Sequence, residues 1–345
     1  RETFVLIRGV WDKHGEQVTR GAPAAVLPWS ETFAPSRLGL ADWIASDDNP
    51  LTARVFVNHL WQLFFGQGLV RTQEDFGVQG EVPEYPEVLD WLAVDFVENG
   101  WDVKRLIRQI VSSHTYQQTS IVSNEMLASD PDNRWLARGA RFRLPSWMLR
   151  DSALSIAGLM DTTLGGPPMR PYQPEGVWEE LFMGRFKYEP SEGPLQYRRT
   201  LYTFWRRSIA PPFLFDTAQR RSCEVRVGRT NTPLHALVLL NDESFLESSL
   251  ALAIAASQNH QVPPEQLNYL FSAVLNRKPT DREQLILQHQ YQRAVDLYEK
   301  SPELAERFLQ REQVSVPENL SVVQIASLAA VASMIFNLDE AMTHE

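Results

Sequence analysis

The chain of 345 residues contains a single cysteine, Cys223. A disulfide framework within it is therefore excluded, and so is any metal site built on paired cysteines. No C-x-x-C-H run is present, so no haem is expected on this chain. Lysine is scarce too: five lysines stand against twenty-eight arginines. Either genome composition or the use of planar guanidinium chemistry accounts for such a skew. No apolar run approaches the roughly 20 residues of a membrane span, and the most apolar stretch, Leu328 to Ile335, is far shorter. The opening RETFVLIRG lacks the shape of a signal peptide. Also missing are a G-x-S-x-G elbow, a phosphate-binding glycine loop and metal-ligand spacing among the seven histidines.

The composition that remains is that of a globular protein. A hydrophobic fraction of 43% supports a sizeable core, and the length fits one large or two ordinary domains. Net charge is −10, unevenly spread. Arg134 to Arg229 carries fifteen Arg and one Lys against nine acids, an excess of +7 in an otherwise acidic chain. Such a stretch either faces an anion or pairs internally with acidic helices. The acidic total and the lack of a nucleic-acid-binding motif argue against nucleic acid as a partner.

Hydrophobic periodicity and capping residues predict a mostly α, multi-helix fold. It has an irregular, partly stranded N-terminal arm over residues 1–35, expected to pack on the helical body. A first helix starts near Ser36 and ends before Asp48-Asn49-Pro50. Thr52 reads as the N-cap of a second, closed by Gly66 and Gly68. A third spans Pro86 to Glu98, and Asp102 caps a fourth. A further helix runs from Ser146 to about Met160. Gly165-Gly166-Pro167-Pro168 then opens a long Gly/Pro/aromatic loop over 161–195, the kind of ordered loop that often carries function. Beyond Asn231 the pattern predicts four or five helices. Thr232-Pro233 starts one toward Ala256, with Asn241-Asp242 as a possible break. Capping boxes at Thr280–Glu283 and Ser321–Gln324, and Ser301-Pro302, start others. The expected division is an arm (1–35), a helical body (36–230) and a C-terminal bundle (231–345) packed on the body.

Few residues offer chemistry. Arg54, Asn58 and Trp61 share a helix face at i, i+4, i+7, beside His59. Such a polar–aromatic face binds a sugar or anion, or else forms a buried network holding the FGQGLV turn. Asp75, before Phe76-Gly77, is a base, a metal ligand or a turn cap. Glu84 and Glu87 suit a helix N-terminus, while Asp90 sits deeper in its helix. His114 near a helix end suits the dipole, and as a base it would need an orienting partner. Arg141, Arg143, Arg150 and Asp151, with Arg206, Arg207, Arg220 and Arg221, supply guanidiniums suited to sulfate, carboxylate or phosphate, or to internal pairs. Trp178, with Tyr172, Phe182, Phe186 and Tyr188, either stacks on ligands or anchors the long loop. Cys223 among arginines has at most a lowered thiol pKa, with no histidine paired to it in sequence.

The segment from Arg54 to Ser120, beginning RVFVNHLWQLFFGQGLVRTQEDFG, resembles the signature of the PSD1 (DUF1553) family of planctomycete proteins. The resemblance continues through RFRLPSWMLRD, GGPPMRPYQPEGVWEEL, LYTFWRRSIAPPFLFD, RTNTPLHALVLLND and LNRKPTDRE to NLDEAMTHE. Two positions depart from the family pattern, Tyr85 for a usual His and His59 for a frequent Arg. The resemblance implies the C-terminal part of a secreted multidomain polypeptide, extracytoplasmic at the cell envelope. A cytochrome-c-like module, which would hold any haem, and a DUF1549 region would precede it, and a DUF1501 protein is an implied partner. It implies no reaction, and function has to come from a site. Three readings follow. The first is a non-catalytic helical interaction module docking those partners. The second is an enzyme or binding module for anionic polysaccharides using Arg54, His59, Asp75, Arg143, Arg150 and Arg207. The third is the protein partner of a c-type cytochrome.

Overall fold

A computed structural model describes residues 2–206, 209–216, 225, 228–311 and 313–344. The chain divides into two compact units, Arg1–Ala140 and Arg141–Glu345. Residues 141–230 thus share a unit with the C-terminal helices. The fold is mostly α, as the periodicity predicts, with two small sheets among the described residues.

In the first unit the arm forms an antiparallel hairpin of β1 (Thr3–Leu6) and β2 (His14–Val18). Its strands are exposed at every position except Phe4. The arm meets the body further along, where the Trp43 indole donates to Leu27 O (2.9 Å). α1 (Arg37–Ile44) begins at Ser36, whose hydroxyl accepts the Gly39 N–H. At Gly39 a Cβ would lie 1.9 Å from Ala34 O, so no larger residue fits. α2 (Thr52–Phe65) starts at its expected cap rather than after it. Thr52 is its first residue, and Asn49 Oδ1 accepts from Leu51 N and Thr52 N instead. Thr52 points back, donating to Ile44 O (2.6 Å). Asn outcompetes here because it precedes the Pro50 turn and reaches both free amides. Gly66 closes α2 at φ 75°, which glycine adopts without strain. α3 (Pro86–Glu98) and α4 (Val103–Val111, capped by Asp102) follow, then α5 (Asn124–Ser129). Val57, Leu60 and Phe65 of α2 pack with Leu89, Leu92 and Phe96 of α3 and with Leu106 and Ile110 of α4. Each such side chain contributes roughly 1.5–3 kcal/mol by leaving water.

The second unit opens with β3 (Phe142–Arg143), paired antiparallel with β4 (Thr343–His344). α6 (Ser146–Ile156) is shorter than the sequence suggests. Gly158 turns left-handed at φ 71°, and Leu159 N and Met160 N both return to Leu154 O. The 161–195 loop contains a short α7 (Val177–Leu181) and the start of a 3₁₀ turn at Gly193–Tyr197. Among the described residues seven helices, not four or five, follow Asn231: α8 (Pro233–Asn241), α9 (Glu243–Asn259), α10 (Pro263–Leu275), α11 (Asp281–Lys300), α12 (Pro302–Leu309), α13 (Val322–Phe336) and α14 (Asp339–Met342). Asn241-Asp242 does split two of them, and Thr280 forms its capping box. Ser301-Pro302 does start α12; the helices not expected are α10, which begins at Pro263 with no capping side chain before it, and α14, one turn long and too short to register as a periodic pattern. α13 is the axis of the unit and packs on α9, α10, α11 and α12. Its Ala326, Ala329 and Ala332 are wholly buried, which admits the close approach of α9 at Ala253 and Ala256.

Candidate functional site

The first unit turns its candidates to structural work. Asn58 is buried, and its amide clamps one residue of the following turn: Nδ2 donates to Val70 O (3.0 Å) and Oδ1 accepts from Val70 N (2.8 Å). Gly68 lies so close that a Cβ there would be 2.6 Å from Asn58 Nδ2. Trp61 faces the core and stacks on Phe65 at 4.2 Å. Arg54 pairs with Asp90 (2.7 Å), tying α2 to α3. Asn58 and Trp61 of the polar–aromatic face are therefore turned inward, with Arg54 at its partly exposed end. His59 lies outside that network, exposed. Asp75 Oδ1 accepts the Gly77 N–H (2.6 Å) and shapes the turn. His114, beyond the end of α4, is exposed. Asp95 and Arg105, which the sequence did not single out, form a two-point ion pair between α3 and α4. That pairing holds the Asp95 carboxyl below its ordinary range.

In the second unit Arg141 pairs with Asp339. Arg143 bonds Asn231 Oδ1 (2.9 Å), and burial lowers its guanidinium pKa. Arg206 lies over the Phe182 ring (5.2 Å). Arg207, Arg220, Arg221 and Cys223 lie outside the described residues. Trp178 is 1% exposed, ringed by Phe182, Phe186, Tyr188 and Phe204. The aromatic loop thus builds a small core of its own, and Trp178 offers no stacking face to solvent.

The convergent polar cluster centres on Arg150, on α6. Its guanidinium is wholly buried and hydrogen-bonds Arg198 O (3.0 Å), Gln196 O (2.8 Å), Thr200 Oγ1 (3.3 Å) and Ser244 Oγ (3.3 Å). Next to it, Asp151 accepts from both the backbone N–H and the hydroxyl of Thr200. Arg198, also buried, continues the pattern toward Thr163, Gly165 and Pro167 carbonyls and sits 3.8 Å from the Tyr202 ring centre. Together the two arginines bind the irregular 161–204 segment to α6.

The sequence reading passed over the acid of this cluster. Glu247, on α9, is wholly buried; its Oε1 accepts from the Tyr172 hydroxyl (3.1 Å) and from Gln313 N (3.3 Å). Its Oε2 and the Tyr197 hydroxyl have no hydrogen-bond partner among the described residues. Burial raises the Glu247 carboxyl to about 7 and Asp242, the N-cap of α9, to about 6. Arg150 is the cation facing both acids, and burial lowers its own pKa. Tyr197 is pushed above its ordinary value, first by burial and then by the neighbouring Glu247. The enclosed carboxyl joins three segments: α9, the aromatic loop and the stretch of chain after α12. One signal in the sequence pointed to it, a lone acid in the otherwise small and apolar run FLESSLALAIAA.

Among the described residues no group of three or more His, Cys, Asp or Glu side chains is arranged to hold a metal ion. No helix among them is long and apolar enough to cross a membrane. A family model, PSD1, described as a protein of unknown function (DUF1553), matches residues 36–291. No curated protein and no solved structure matches the chain.

Proposed function

The chain belongs to the PSD1 (DUF1553) family, and within it we propose a non-catalytic helical interaction module that docks neighbouring modules of its own polypeptide or a DUF1501-type partner. The β1–β2 hairpin carries this reading. A two-stranded ribbon alone is marginally stable in water and needs a third strand or a packed face. This one pairs only with itself among the described residues. It also holds Trp11 82% exposed, with Val5 and Ile7 more than half exposed. Exposed apolar side chains beside free strand edges favour a partner that adds a strand or covers the ribbon.

The buried clusters support the same reading. Arg150, Arg198 and Asn58 spend the hydrogen bonds described above on the chain's own backbone and, for Arg150, on Thr200 and Ser244 as well, which suits a rigid body presenting surfaces. The test is co-elution of the chain with a DUF1549 module or a DUF1501 protein in size-exclusion chromatography, repeated with Trp11→Ser/Val5→Thr. Association that the double substitution abolishes is expected. Failure of the unaltered chain to associate with either protein overturns the proposal.

A further inference from the structure

One polar surface in the second unit belongs to none of the clusters above. α10 presents Glu265, Asn268, Tyr269 and Ser272 at i, i+3, i+4 and i+7, a single helix face. They line a groove of about 520 Å³, bounded by His260 before α10 and by Lys278 and Gln284 after it. We propose that this groove binds a neutral, hydroxyl-rich ring of about hexose size.

Its volume lies within the roughly 300–1,000 Å³ of small-molecule sites. Charge decides between ligand classes. The groove carries one carboxylate, Glu265, and one ammonium, Lys278. His260 Nδ1 stands 3.7 Å from Glu265 Oε2 within the groove. An anionic ligand meets Glu265 and a cationic one meets Lys278, whereas a neutral polyol opposes neither. The lining supplies donors and acceptors in mixture, as hydroxyl groups require. Tyr269 adds the aromatic ring. It packs against the main core of the unit and meets the His260 ring at 5.4 Å, so its position is set before any ligand arrives. The C–H face of a sugar ring stacks on such a side chain while its hydroxyls reach the polar wall.

The test is saturation-transfer NMR and calorimetry on the intact chain with the methyl glycosides of glucose, galactose and mannose. Methyl glucuronide and glucosamine serve as the charged comparisons. At least one neutral glycoside is expected to bind saturably. At least a tenfold loss is expected in Tyr269→Ala and in Lys278→Ala/Gln284→Ala, the latter pair lying on the groove rim so that folding is retained. No saturable binding of any neutral glycoside overturns the proposal. So does unchanged binding in the rim variant, or tighter binding of either charged sugar.

Discussion

Replacing Glu247 with glutamine separates the titration of this buried carboxyl from its hydrogen bonds. Glutamine keeps an oxygen for the Tyr172 hydroxyl and Gln313 N–H and turns an amide N–H toward Tyr197, so the contacts of α9 survive. What disappears is the ionisation. Glu247 ionises at about 7 in the folded chain, against an ordinary glutamate value of 4.5. Between those two values the folded state holds a proton that the unfolded state has released. Stability from this group is therefore fully present below pH 4.5 and is lost as pH rises through about 7. The difference, about 2.5 pH units at 1.36 kcal/mol each, amounts to roughly 3 kcal/mol. Asp242 titrates in the same direction, from 3.8 to about 6, but is common to both proteins. The quantity to compare is the loss of stability between pH 5 and pH 8.5, read from urea unfolding by circular dichroism. The unaltered chain should lose about 2–3 kcal/mol more than Glu247→Gln over that interval. The protection of the Gln313 amide, its exchange relative to the intrinsic rate at each pH, should fall with rising pH in the unaltered chain alone. Equal pH dependence in the two proteins would refute the argument, because it would mean that Glu247 is already ionised, balanced by Arg150.

Two further substitutions probe the first unit. Asn58→Ala strands both the N–H and the carbonyl of Val70, and at about 1–3 kcal/mol per buried orphan it should lower the thermal midpoint markedly; a loss under about 0.5 kcal/mol would show that water replaces the clamp. Gly39→Ala should destabilise even though alanine normally gains about 1 kcal/mol over glycine inside a helix, since its Cβ meets Ala34 O at 1.9 Å; a raised midpoint in the same melt would contradict this.

Much of the helical frame was legible because its signals are local. Ser36, Asp102, Thr280 and Ser321 each lie within three residues of the amide they cap, so the motif and the contact are one object. Asn49 shows the limit. It and Thr52 are both good caps, and only the path of the Pro50 turn decides which one reaches the free amides. The candidate sites were less legible, for a reason of distance. Arg150 looks the same in sequence whether it faces a ligand or the protein, and its partners lie 46 to 94 residues away. Asp75, by contrast, closes a bond two residues on, and the turn-cap reading needed nothing further.

The arginine excess between Arg134 and Arg229 coincides with the weakest helical signal in the chain, and one constraint links the two. Buried backbone outside helices and strands leaves carbonyls without partners, and each must be satisfied. A guanidinium offers five donors in a plane, enough to gather several carbonyls from an irregular path, whereas an ammonium is a compact point charge. Arg138 reaches the carbonyls of Asp130 and Pro131. Arg150 reaches those of Gln196 and Arg198, and Arg198 those of Thr163, Gly165 and Pro167. Arg311, after α12, reaches Phe308 with two nitrogens while pairing with Glu243. These contacts give a chemical reason for arginine over lysine at those positions, whatever the genome contributes. They also redirect the meaning of the local positive charge. Where Asp242, Asp151 and Glu247 surround Arg150, the excess compensates buried acids and organises loops, and a search for a ligand has better ground in the nearly charge-balanced groove along α10.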